Sequence, residues 1–524
     1  MKFSVKFSMK FSKSGQRVLE RGREGRSMSS RGSSGVETGR ITTDIPARLD
    51  RIPWARWHWM IVIGLGTVWI LDGLEVTIVG SLASALQPNS TGIGLSSAQN
   101  GQAGAIYVAG ACFGALVFGQ LTDRFGRKKL FMITLGVYLV GTVLTAFSPN
   151  VLFYFVFRFI TGTGIGGEYA AINSAIDELI PARYRGRVDL AINGSFWVGA
   201  AGGALITIPL LDPTVIDQSY GWRLCFGLGA ILGLGVLLVR RNVPESPRWL
   251  FIHGRDKEAE QVVGEIEETV RSETGKDLSS VSDTITIRQR RTIGMATIAH
   301  TVFALYPRRT ILCFSLFVGQ AFLYNAFFFT YGDSLTTFLG VTQTGYYLAL
   351  FALSNFLGAL LLGPLFDTVG RVRMISSTYI LSGVLLAIAG FMLGGLSAVT
   401  LTIFGMVIFF FASAGASSAY LTASEVFPME TRALCIAFFY AVGTAVGGIS
   451  GPLYFGHLID SATSSKDITV LATGYWIGAA LMIGGGVVAA FLGVHAEGES
   501  LENIAKPLTA EDTLSGGQAE PSRA

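Results

Sequence analysis

Between Arg158 and Arg187 the chain reads RFITGTGIGGEYAAINSAIDELIPARYRGR, a stretch that few soluble folds can use. Gly162, Gly164, Gly166 and Gly167 strip one side of an apolar run to bare backbone. In water each glycine costs a helix about 1 kcal/mol against Ala. In a bilayer the same small residues let helices approach closely. The stretch therefore predicts a tightly packed transmembrane helix with Arg158 and Glu168 at membrane depth. It ends in a short basic loop, Arg183, Arg185 and Arg187. It also has an echo: Glu178-x-x-Pro181-x-x-x-Arg185 returns as Glu425-x-x-Pro428-x-x-x-Arg432.

Composition agrees. The 524 residues are 50% hydrophobic and 15% charged, which excludes an ordinary soluble enzyme and leaves room for about a dozen spans of ~20 residues. The sequence predicts an all-α membrane protein with spans at about 57–82, 98–121, 130–147, 150–174, 188–211 and 222–240, then 309–337, 342–365, 373–394, 398–421, 433–457 and 470–493. Residues 57–240 and 309–493 are thus two six-helix bundles. Residues 241–308 are polar and form a soluble linker, with an amphipathic helix from Arg255 to Arg271. Residues 1–56 and 494–524 are expected to be disordered tails. The basic start MKFSVKFSMKFSKS has no apolar core and is not a signal peptide; Met28 is an alternative start. Cys112, Cys225, Cys313 and Cys435 all sit in apolar runs without CxxC or Cys/His spacing, so no metal, cofactor or disulfide framework is expected.

Charge sets the orientation. Alternate connections carry Arg124, Arg127, Lys128 and Lys129; Arg183, Arg185 and Arg187; Arg240, Arg241 and Arg248; Arg371 and Arg373; and Arg432. The intervening ones carry almost no bases. The basic set is expected to be cytoplasmic, with both termini inside a cell membrane.

A second repeat makes the duplication firm. Gly119-Gln-Leu-Thr-Asp123-Arg-Phe-Gly126-Arg127 returns as Gly363-Pro-Leu-Phe-Asp367-Thr-Val-Gly370-Arg371, about 244 residues later. The Glu/Pro/Arg echo has nearly the same offset, about 247. Parallel six-span repeats place a binding site at their interface near the bilayer midplane.

These residues resemble the major facilitator superfamily. GQLTDRFGRKK is similar to that family's loop between helices two and three. RFITGTGIGGE, ELIPARYRGR and Pro244-Glu245-Ser246-Pro247-Arg248-Trp249-Leu250 are similar to its sugar-porter-like branch, which also includes proton-coupled carriers of phosphate and aromatic acids. The resemblance covers about residues 55–495. It implies two six-helix bundles, alternating access and no covalent chemistry; the partners expected are a small-molecule substrate, protons and the lipid bilayer, with the chain a monomer. No nucleic-acid partner is expected.

The in-register acids and bases suggest a cytoplasmic gate of Asp123, Arg127, Glu178, Arg185, Asp367, Arg371, Glu425 and Arg432. The plainer alternative is that they cap helices and obey topology. Thr368 and Val369 replace the Arg-Phe of the first copy, so the second lock should be weaker.

An ionisable side chain at membrane depth costs at least ~2.5–3.5 kcal/mol and is a functional candidate. Asp72 and Glu75 lie three apart on the first span and share a helix face. Glu75 falls about 7 Å outside the midpoint of its helix, and Arg158 lies at a similar depth on the fourth. Glu75–Arg158 is therefore expected to pair, with Asp72 and Glu168 as further proton-coupling candidates. Glu168 has an alternative as a structural hydrogen-bonding group. The resemblance points the same way, since Arg158 matches the sugar-porter helix-four Arg and Asp72-Gly-Leu-Glu75 looks like the Asp-Gly-x-Asp of aromatic-acid carriers.

Helix seven supplies Gln320, Tyr324 and Asn325 as substrate candidates, with Trp197, Tyr420 and Tyr440 on other inward-turned helices. Gln320 and Asn325 match the sugar-porter signature; Gly319 and Leu323 depart from it. The expectation is a proton-coupled symporter of a small organic or aromatic acid. A sugar or polyol carrier, an efflux antiporter, a uniporter and a non-transporting sensor remain open alternatives.

Overall fold

The computed structural model describes residues 40–82, 97–240, 245–288, 298–341, 344–428 and 431–506, together with 86, 93–95 and 508. Contacts divide the chain into Met1–Glu37, wholly outside the described residues, and Thr38–Ala524.

A strand β1 (Arg40–Thr43) and a short helix α1 (Ile45–Asp50) precede the first span, α2 (Arg56–Ser81). The first bundle continues with α3 (Ser97–Phe125), α4 (Arg127–Ala146), α5 (Val151–Leu179), α6 (Arg185–Gly194), α7 (Phe196–Leu210) and α8 (Gln218–Arg240). Helices α6 and α7 make one span, broken at Ser195. The linker carries α9 (Pro247–Ile252), α10 (Asp256–Thr274) and strand β2 (Ile285–Arg288). The second bundle holds α11 (Pro307–Leu339), α12 (Thr344–Thr368), α13 (Arg371–Met392), α14 (Ala398–Glu425), α15 (Arg432–Thr444), α16 (Ser450–Ser465) and α17 (Ala472–Leu492). A π turn at Ala445–Ile449 joins α15 to α16 within one span.

Among the described residues eleven helical spans are long and apolar enough to cross a membrane. Helix α5 is the twelfth by length, at 29 residues. Its Arg, its acids and its glycines dilute its hydropathy. Those glycines explain its place. A Cβ on Gly162 would stand 2.1 Å from the carbonyl oxygen of Tyr107, and one on Gly166 would stand 1.9 Å from that of Ala111. Gly164 meets α4 the same way, 2.5 Å from the backbone nitrogen of Tyr138. Bare backbone on two sides of α5 thus brings α3 and α4 into direct contact with it, and fixes Tyr107 beside Arg158.

Both tails correct the sequence reading. Residues 40–50 are ordered: β1 pairs antiparallel with β2, Arg40 opposite Arg288 and Thr43 opposite Ile285. Arg48 and Arg51 both grip Glu267 of α10, at 2.8 and 2.5 Å. Residues 494–506 also fold back, ending in α18 (Leu501–Ile504). Glu502 lies 3.2 Å from the buried Arg248, and Arg309 donates to the carbonyl of Ile504 at 2.9 Å. A polar tail reads as disordered when its composition is judged alone. Here the buried arginines of the folded domain demand acidic and carbonyl partners, which the tail supplies.

Candidate functional site

Helix α2 presents two carboxylates to different neighbours. Three residues turn a helix by about 300°, leaving Asp72 and Glu75 roughly 60° apart. Glu75 turns towards α4 and α5. Arg158 Nη1 donates to Glu75 Oε1 at 2.6 Å, and Thr142 Oγ1 donates to Glu75 Oε2 at 3.1 Å. The two charged side chains are only 1% and 2% exposed, so each depends on the other. Asp72 is equally buried but accepts from phenols, Tyr107 at 2.8 Å on one oxygen and Tyr169 on the other. The Arg158 guanidinium lies 4.3 Å from the centre of the Tyr107 ring. Tyr107 therefore touches both systems: its hydroxyl holds Asp72 and its face holds Arg158.

Between the two bundles lies a cavity of about 160 Å³. The first half contributes Trp69, Asp72 and Val76 from α2, Tyr107, Val108 and Ala111 from α3, and Tyr169 from α5. Asn193 of α6 and Phe196 and Trp197 of α7 complete that side. The second half contributes Gln320, Ala321, Tyr324 and Asn325 from α11, Ser413, Ala416, Ser417 and Tyr420 from α14, and Tyr440 and Thr444 from α15. Thr444 directly precedes the π turn, a local widening that often marks functional sites. Trp197 and Tyr324 meet across the bundle boundary at 5.4 Å between ring centres. Tyr324 also donates to Asn355 at 2.9 Å.

The structure gathers all six substrate candidates onto this wall. It brings Glu75 and Arg158 together just behind it, with Asp72 on it. Glu168 is placed elsewhere: it is fully buried against α4, where Thr134 Oγ1 donates to it at 3.2 Å. Phe327 shows why aromatic density on α11 misleads, since it stacks with Tyr331 and Phe351 in the core of the second bundle. Sequence reasoning missed Trp69, Tyr107, Tyr169 and Asn193. Trp69 precedes Asp72 by one turn, a usable signal; Tyr107 and Asn193 had none, because their roles depend on neighbouring helices. It also passed over Asp177 and Asp189, both fully buried.

The gate candidates cluster on the basic face. Arg127 pairs with Glu178 at 2.5 Å within the first bundle, and Arg371 pairs with both Asp367 (2.9 Å) and Glu425 (3.0 Å) within the second. Arg185 reaches across to Glu425 at 3.8 Å, and Asp367 accepts from the backbone of Gly186 and Arg187 at 3.1 and 2.9 Å. Arg432 is fully buried and donates to the carbonyl of Phe427. The second copy, expected to be the weaker lock, nevertheless makes these cross-bundle contacts. The side chain of Asp123 lies outside the described residues.

Two bundles around a central cavity, with buried charges behind one wall and an ion-paired face below, define a membrane transporter of the major facilitator fold. The chain belongs to the family described as "Sugar (and other) transporter", which matches residues 56–507. It is similar to the niacin transporter NiaP of Acinetobacter baylyi, 27% identical over 88% of this chain and 99% of that one. It is also similar to the 4-hydroxybenzoate transporter PcaK of Pseudomonas putida, 26% identical over 79% of this chain and 90% of that one. Among solved structures the proton:xylose symporter XylE bound to 6-bromo-6-deoxy-D-glucose has a TM-score of 0.68 at 18% identity, covering 85% of this chain and 98% of that one. This is a multi-pass membrane transporter and not an enzyme.

Proposed function

We propose that the chain is a proton-coupled carrier of a small aromatic metabolite, working by alternating access about the central cavity. The observation that carries the reading is the Glu75–Arg158 pair, buried one layer behind the wall and joined to Asp72 through Tyr107. Protonating Glu75 removes the charge that holds Arg158, and the guanidinium then bears more strongly on the Tyr107 face. Substrate arriving at Asp72 disturbs the same tyrosine from the other end. Occupancy of the cavity and protonation of Glu75 thus act on one shared side chain, the requirement for coupling by differential interaction. The likeness to niacin and 4-hydroxybenzoate carriers supports an aromatic substrate, and the ring-lined wall suits one. The excess of bases on one face supports a cytoplasmic location for that face and for both termini, in a cell membrane. The ion pairs made there support a reading in which that face is the closed side. One chain supplies the lining of both sides of the cavity, which supports a monomer.

Proteoliposome uptake under an imposed pH gradient tests the reading. Accumulation should follow the gradient in the unmodified protein. Glu75→Gln should abolish accumulation while counterflow exchange persists. Normal accumulation by that variant assigns the buried pair to structure alone.

A further inference from the structure

Resting on the cavity as the transport site, its chemistry allows the substrate to be narrowed further. Asp72 is the one ionisable carboxylate among the described lining residues, and no Lys, Arg or His is among them. The nearest base along the contacts described, Arg158, is engaged by Glu75 and rests on the face of the Tyr107 ring. Deeper in the same half Glu168 adds another acid. On the side of the first bundle nearest the cavity, Asp72, Glu75 and Glu168 are thus buried with Arg158, which Glu75 already holds. A carboxylate entering this space meets Asp72 in a desolvated setting with no partner for its own charge, which is costly.

The ring geometry favours the opposite charge. Trp69 stacks on Tyr169 at 4.6 Å, Tyr440 meets Tyr169 edge-on at 4.7 Å, and Tyr420 meets Trp69 edge-on at 5.7 Å. These four rings, drawn from both bundles, adjoin Asp72 through the Tyr169 hydroxyl. Ring faces carry negative potential and attract cations, and flat apolar walls suit flat ligands. Asp72 spends one acceptor direction of each oxygen on a phenol, and a carboxylate has about four in all. Acceptor capacity remains for a donor from the cavity.

We propose that the cavity takes a nitrogen heteroaromatic without net negative charge, its positive or N–H-bearing end against Asp72 and its ring among Trp69, Tyr169, Tyr420 and Tyr440. The expected order of preference is cation, then neutral amide, then acid. This departs from the organic or aromatic acid expected from sequence, and the physical reason is the absence of a base from the described wall.

The test is equilibrium binding to the purified full-length protein in detergent at pH 7.5, read by tryptophan fluorescence. The probes are 1-methylnicotinamide, nicotinamide, nicotinate, benzoate and a hexose, used singly. The first three share one ring and differ in charge. The cation and the amide should bind at least about tenfold more tightly than the two anions, the scale of one charge-assisted hydrogen bond. Asp72→Asn should erase that preference, and if this variant does not fold the charge series on the unmodified protein decides alone. Tighter binding of nicotinate or benzoate, binding of the hexose alone, binding of no probe, or an unchanged preference in Asp72→Asn overturns the proposal. Any of these leaves the transporter reading standing if pH-driven uptake of another solute is found. That reading falls only if a screened set of solutes, acids and sugars included, shows no uptake or exchange.

Discussion

The two bundles carry the same pair of motifs in register, yet they furnish the cavity differently. The first gives it Asp72, with Glu75, Arg158 and Glu168 buried behind. The second gives it Gln320, Tyr324, Asn325, Ser413, Ser417, Tyr420, Tyr440 and Thr444, all uncharged. The buried charges described in the second bundle, Arg371, Glu425 and Arg432, sit instead at the basic face. Charge in a low-dielectric interior is expensive and must be paired, whereas hydroxyls and amides can bond their own helix: Asn325 donates to the carbonyl of Ala321 at 2.8 Å. On the proposed reading the first half carries the proton while the second shapes the ligand's surroundings.

That division can be broken most sharply at Arg158. Arg158→Leu leaves Glu75 buried and unpaired, and stability in detergent should fall by about 3–5 kcal/mol, the usual cost of orphaning a buried charge. Chemical denaturation followed by tryptophan fluorescence measures it. Adding Glu75→Gln to the same protein should recover most of the loss. A double variant as unstable as the single one would mean that Arg158 is held chiefly by the Tyr107 ring.

A ligand-shaping second half should respond through affinity alone. Tyr324→Leu removes the ring packed on Trp197, and KM should rise about tenfold, as for one buried aromatic contact. The ratio of protons to substrate, taken from reversal potentials in proteoliposomes, should not move. A changed ratio would place coupling in both halves.

Charges at the basic face should control which side opens rather than what is carried. Glu425→Gln weakens both the Arg371 pair and the reach of Arg185 across the boundary. A cysteine placed at Thr444 should then be labelled a few-fold faster from the basic side, since a weakened pair of this kind shifts a two-state balance modestly. Unchanged labelling would favour the helix-capping alternative.

Outside the membrane the expected effect is local and leaves transport untouched. Burial pushes the Glu267 carboxyl up, but hydrogen bonds from Arg48 and Arg51 outweigh it and hold the group below its ordinary value of 4.5. A lowered carboxyl contributes stability that is complete above the unfolded value and is lost as pH falls through the folded one. Docking of residues 40–50 on α10 should therefore be constant at neutral pH and loosen only below about pH 4.5, seen as amide exchange in β1. Glu267→Gln should show the loosened exchange at neutral pH, at a cost of about 1–3 kcal/mol. Loosening of the unmodified protein near pH 6 would point to another group.

Much of this was legible in the residue order. Hydropathy located the spans, since a helix in lipid must be apolar over ~20 residues whatever it packs on. The in-register motifs gave the two halves. Depth arithmetic matched Glu75 to Arg158, because rise per residue fixes height along a helix without reference to neighbours. Height says nothing of azimuth, however. Which way Asp72 faces, that Tyr107 touches both it and Arg158, that Glu168 turns from the cavity, and that Asn193 reaches it were set by helix–helix packing. Close approach at Gly162, Gly164 and Gly166 rotated α5 into register with α3 and α4. The tails were decided the same way: Glu502 and residues 40–50 look unstructured alone, and take their order from buried arginines and an acidic helix that only the folded chain assembles. The sequence determined what could be buried and at what depth; the tertiary structure decided what each buried group faces, because that depends on contacts between helices distant in the chain.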